Sequence, residues 1–92
     1  MKTQNQKQPN VRITKTQLKE VARNYIRIYN PFAKAYNANA GRHPSEQVSE
    51  PNRDSVYSIE STLNALGLWE QVYEVAKELE AKGEFVIEKI VA

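Results

Sequence analysis

Two isolated glycines constrain this chain more than any other feature. Gly67 and Gly83 cut the stretch 55–90, SVYSIESTLNALGLWEQVYEVAKELEAKGEFVIEKI, into helix, corner, helix, stop and strand. A glycine directly after an apolar periodic run closes a helix in the left-handed conformation, because it has no Cβ to clash. Before Gly67, Val56, Ile59, Leu63 and Leu66 recur at intervals of three and four and line one helical face. Asp54 or Ser55 is the expected N-cap. After the corner, Leu68, Trp69, Val72, Tyr73, Ala76 and Leu79 mark the buried face of a second helix. Beyond Gly83, residues 84–90 place Phe85 and Ile87 on one side and Val86, Glu88 and Ile90 on the other, which reads as a strand.

The N-terminal half supplies what packs on that unit. Residues 1–10 are rich in Lys, Gln, Asn and Thr without apolar periodicity, and read as a disordered tail. Val11-Arg12-Ile13 is the only other strand candidate, and pairing with 84–90 would satisfy both backbones. Thr14 is a plausible N-cap, and Gln17 completes a capping box. A helix follows over 15–30, with Leu18, Val21, Ala22, Tyr25, Ile26 and Tyr29 on its apolar face. Asn30-Pro31 ends it, since the residue before proline avoids the α region. Pro31 opens a short helix to Asn39, with Phe32, Ala35 and Tyr36 turned inward. Residues 41–53, GRHPSEQVSEPNR, form a flexible loop.

The expected fold is therefore mainly α. It is one small helical bundle over 11–92, with about four helices and short terminal strands in the order β-α-α-α-α-β. The expected core is Leu18, Val21, Tyr25, Ile26, Val56, Ile59, Leu63, Leu66, Trp69, Val72, Tyr73, Ala76 and Leu79. Trp69 is suited to plug the gap at the Gly67 corner, or to anchor a protein partner.

Charge is strongly divided. Residues 1–46 hold nine basic and two acidic side chains, net +7, and residues 47–92 hold four and nine, net −5. Such a chain either pairs its halves or offers a basic face to an anion. Lys15, Lys19, Arg23 and Arg27 recur every fourth residue as a slanted row beside the apolar face. The leading expectation is a non-catalytic protein binding nucleic acid, or a nucleoprotein complex, through that half. Arg12, Lys15, Lys19, Arg23, Arg27, Lys34 and Arg42 would meet phosphate, and Tyr29 and Tyr36 would stack on bases. The alternative is a protein-interaction module, an adaptor or inhibitor of the kind phages and mobile elements encode. It would use the acidic face of the last helix or the 41–53 loop, and a homodimer is compatible with either reading.

Enzymatic chemistry finds little support. The chain has no cysteine, which removes disulfides, thiolate nucleophiles and the usual structural zinc sites. His43 is the single histidine, two residues from Ser45 in a loop, without a third positioned group. Gly41, Gly67 and Gly83 are isolated stops, not a phosphate-cradling loop. No metal, cofactor or catalytic residue is expected. No apolar run approaches the length of a membrane span, and MKTQNQKQPN lacks the apolar centre of a secretory signal, so a cytoplasmic protein is expected.

Two resemblances follow from these residues. Leu66-Gly67-Leu68 at a turn, Tyr73 and Ala76 inside, and Leu79-Glu80-Ala81-Lys82-Gly83 leading into Phe85-Val86-Ile87 resemble the second half of a winged-helix DNA-binding domain. The resemblance implies a helix in the major groove. Here that helix carries Glu70, Glu74, Glu78 and Glu80, which phosphate repels, and no second wing strand follows. Val11-Arg12-Ile13 before a helix also resembles a ribbon-helix-helix repressor, whose second long helix is opposed here by Asn30-Pro31.

Overall fold

The computed structural model describes residues 12–91. The expectations for the tail and for Val11 lie outside the described residues. Among these described residues there are three α-helices, α1 Lys15–Asn39, α2 Arg53–Ala65 and α3 Trp69–Ala81, with a 3-10 turn at Pro44–Glu46. The protein is thus mainly helical, with one helix fewer than expected.

The missing boundary is at Pro31. α1 runs through it for 25 residues, about 37 Å. Proline inside a helix removes a backbone donor and costs about 3 kcal/mol relative to alanine. Burial opposes that cost. Phe32 is 2% exposed and Ala33 is fully buried, and burying one large apolar side chain contributes about 1.5–3 kcal/mol. Continuity also changes the register. Ala33 follows Ile26 by seven residues and so shares its face, while Ala35, expected inside, is only half-buried.

The helix ends follow local chemistry. Thr14 caps α1 and Gln17 answers it, with Gln17 N–H to Thr14 Oγ1 at 3.1 Å and Thr14 N–H to Gln17 Oε1 at 2.9 Å. Gly67 and Gly83 take φ of +73° and +84°. Each sits in a Schellman closure: Leu68 N–H bonds Leu63 C=O at 2.8 Å, and Glu84 N–H bonds Leu79 C=O at 3.0 Å. The cap of α2 is neither Asp54 nor Ser55 but Asn52, at φ +64°, whose side chain donates instead to Ile28 C=O of α1 at 3.1 Å.

One core joins Leu18, Ala22 and Ile26 of α1 to Leu63, Leu68, Val72, Val75, Ala76 and Leu79. A second, smaller one holds Tyr25, Phe32 and Val56. Val21, Ile59, Leu66 and Trp69 are half-buried against these cores. Tyr73 corrects the expected core: it is 52% exposed. The buried face of α3 is centred on Val72, Val75 and Leu79, and that rotation turns Tyr73 outward. α3 runs antiparallel to α1, since Trp69 touches Tyr25 while Glu78 pairs with Lys15.

The expected terminal strands are absent among the described residues. The stretch 84–91 is extended without a strand ladder, because its backbone is met by side chains of α1. In the 41–53 segment, buried Asn39 donates to Val48 C=O at 2.8 Å and accepts from Val48 N–H at 2.9 Å. No helix among the described residues is long and apolar enough to cross a membrane.

Candidate functional site: an aromatic cleft and a main-chain clamp

All the aromatic residues except Phe85 form one connected run. Tyr25 stacks on Tyr29 with centroids 5.4 Å apart and meets Trp69 edge-on, also at 5.4 Å. Trp69 stacks on Tyr73 at 6.2 Å. Phe32 extends the run toward Tyr36 and the exposed Tyr57. The spacing that produces this is helical: Tyr25, Tyr29, Phe32 and Tyr36 follow one another by four, three and four residues on α1. A cleft of about 650 Å³ opens beside the rings of Tyr25, Tyr29, Trp69 and Tyr73. Glu60, Lys77, Glu80 and residues 87–90 complete its wall. Lys77 lies over the Tyr73 ring at 5.4 Å, a cation–π contact at the rim.

The Tyr25 hydroxyl donates to Glu60. Burial, then that hydrogen bond, then the negative charge of Glu60 push the Tyr25 phenol above its ordinary range. Burial raises Tyr29 in the same direction. Both rings therefore present neutral phenols to the cleft at neutral pH.

The segment 84–91 borders the cleft and is fixed by its main chain. Asn30 Nδ2 donates to Val86 C=O at 2.8 Å, and its Oδ1 accepts from Glu88 N–H at 3.0 Å. Asn37 repeats the pattern, donating to Lys89 C=O at 2.6 Å and accepting from Val91 N–H at 2.9 Å. Glu80 accepts from Ile87 N–H at 3.0 Å. Neither asparagine was a candidate at the sequence level. The signal was present, since both sit at helical spacing beside the apolar face, but nothing in the sequence says what they face.

The basic row is partly consumed within the molecule. Lys15 pairs with Glu78 at 3.1 Å. Arg23 bonds Glu84 and also Glu20, the latter at 3.3 Å, and the Glu84 bond raises its guanidinium pKa. Glu84 is held below its ordinary carboxylate range, first by that hydrogen bond, with Arg23, Lys19 and Arg27 adding attraction. Arg27 donates to Asn24 at 2.9 Å, and Arg42 to Glu46 C=O at 3.5 Å. Arg12 and Lys34 are exposed, and Lys34 has no partner among the described residues.

The exposed cations and the rings lie on different flanks of α1. Tyr29 follows Arg27 by two residues, and Tyr36 follows Lys34 by two, about 200° around the helix in each case. The rings lie in the aromatic run and the exposed cations on the opposite flank. His43 Nδ1 lies 2.9 Å from Ser45 Oγ and accepts from Ser45 N–H, a local turn. No group of three or more His, Asp or Glu side chains able to hold a metal occurs among the described residues. Compared with protein families, curated proteins and solved structures, the chain matches none.

Proposed function

We propose that this protein is a non-catalytic interaction module that binds a protein partner at the cleft between α1 and α3. One observation carries the reading: a connected aromatic run lines an open cleft and ends in Tyr73, which packing leaves about half exposed. Rigid aromatic rings with one wet edge supply most of the binding energy at protein interfaces. The acidic outer face of α3 supplies the surrounding polar rim.

The test is capture from a nuclease-treated lysate of the native host on immobilised wild-type protein and on Tyr73→Ala. Tyr73 is about half exposed, so the variant should still fold and lose no more than about 1–2 kcal/mol with the Trp69 stack and the Lys77 contact. A partner held by a ring of this kind should lose at least about 10-fold in affinity. Equal capture by both proteins sinks the reading.

A second reading keeps nucleic acid as the partner. It is supported by Arg27 and Lys34, seven residues apart on one exposed flank of α1, of which Lys34 is unpartnered among the described residues. Arg12 and Lys19 would add phosphate contacts there. Capture abolished by nuclease, together with a gel shift at low salt that Arg27→Glu/Lys34→Glu removes, would select it.

A further inference from the structure

The hold on residues 84–91 is unusual in kind: two side chains of one helix grip the main chain of an extended segment. Each asparagine amide donates to one carbonyl and accepts from the N–H two residues on. That is the pairing a neighbouring strand would offer, made by a side chain. The repeat is matched to the ligand. Seven helical residues advance about 10.5 Å and return nearly to the same face, while three extended residues, Glu88 to Val91, advance about 10 Å. Any extended chain would find the same two grips, since neither reads a side chain.

We propose that this face of α1 is a recognition slot for an extended segment of a partner protein, acidic at its start and hydrophobic one and three residues later. Residues 84–91 are its tenant in cis. The inference rests on the protein-interaction reading above and names the chemistry of the partner. Charge complementarity fixes the acidic position, because Glu84 pairs with Arg23 and is attracted further by Lys19 and Arg27. Phe85 and Ile87, packed against the core, mark the two hydrophobic positions.

The tenancy is shallow. Val86 and Val91 remain 76% and 79% exposed, and Ile90 is exposed as well. The segment leaves α3 at Gly83, whose φ of +84° turns the chain back toward α1. A tethered segment competes at an effective concentration on the order of millimolar, so a free ligand gains access when the tenant is weakened. Release would also remove the wall that Ile87, Glu88, Lys89 and Ile90 give the aromatic cleft.

The test uses the full chain and a fluorescein-labelled peptide, EFVIEKIV, followed by anisotropy. Glu88→Pro and Val91→Pro each delete the N–H that one asparagine accepts and leave α1 untouched. Either variant should bind the peptide at least about 10-fold more tightly than wild type. Adding Asn30→Ala/Asn37→Ala, or using a peptide with Lys in place of its first Glu, should remove the gain. No gain in either folded proline variant overturns the proposal, as does a gain that survives loss of both asparagines. Concentration-dependent dimers of the proline variants that exclude the peptide would give the slot to a second copy and overturn the hetero-partner. Should both proline variants lose helical circular dichroism, amide exchange decides. Asn30→Ala/Asn37→Ala must then speed exchange at Glu88 and Val91, and unchanged protection refutes the slot. Failure here with Tyr73-dependent capture intact removes the slot and leaves the interaction reading standing.

Discussion

Tyr25 links the stability of the fold to pH at the alkaline end. Its phenol is buried and donates to Glu60, so its folded pKa lies above the ordinary value of 10.0. In the unfolded chain it ionises near that ordinary value. Above it the unfolded state holds fewer protons than the folded state, and stability falls as pH rises. Tyr29, raised by burial, acts in the same sense. The stabilisation is fully present below the unfolded pKa and lost through the raised folded one. Tyr25→Phe should lower unfolding free energy by about 1–2 kcal/mol at neutral pH, because a hydrogen bond to a carboxylate disappears. It should also flatten the alkaline decline. Urea unfolding at pH 7 and at pH 11, on both proteins, reads both effects. Glu84 works from the acid side: its lowered pKa gives stability above the unfolded carboxylate value that is lost as pH falls through the folded one. The pair is exposed, and its contribution is small.

α1 shows where local rules and tertiary burial disagree. Pro31 is exposed on the outer face while Phe32 and Ala33 beside it are buried. Pro31→Ala should therefore restore a backbone bond without disturbing the core, and raise the urea midpoint by the equivalent of about 1–3 kcal/mol. A lower midpoint would mean that proline stiffness in the unfolded chain dominates. At the end of α1, Asn39→Ala should cost about 1–3 kcal/mol, since it strands both main-chain groups of Val48. Urea unfolding checks this, and faster proteolysis within 41–53 should accompany it. The same helix explains what was legible. The Thr14–Gln17 box, the Gly67 and Gly83 closures and most of the α2 and α3 faces are local, and a reader of the chain finds them. Continuity through Pro31 was not legible, because it depends on what Phe32 meets 24 residues later at Val56. The extended tail was legible as β-prone. Its partner was not, since strand edges are sought among strands and here are supplied by Asn30 and Asn37.

The division of charge is partly resolved by the fold, as Lys15–Glu78 and Arg23–Glu84 tie the basic half to the acidic one. These pairs are exposed, where solvent screens the attraction and little stability is gained. Folding should therefore be nearly indifferent to salt, with unfolding free energy changing by less than about 1 kcal/mol between low and molar sodium chloride. Binding is then free to report on the partner without a confounding loss of structure. If three or four cations among Arg12, Lys19, Arg27 and Lys34 meet phosphate, affinity should fall roughly 20- to 150-fold between 50 and 200 mM salt. If the aromatic cleft meets a protein, burial of neutral rings governs affinity and the same change should move it by less than about threefold. Measuring the dissociation constant at the two salt concentrations, on wild type and on Arg27→Glu/Lys34→Glu, separates the cases. A steep dependence abolished by charge reversal assigns the partner to nucleic acid. A shallow one that survives charge reversal assigns it to the cleft, where the rings are held by the same packing that keeps α1 unbroken.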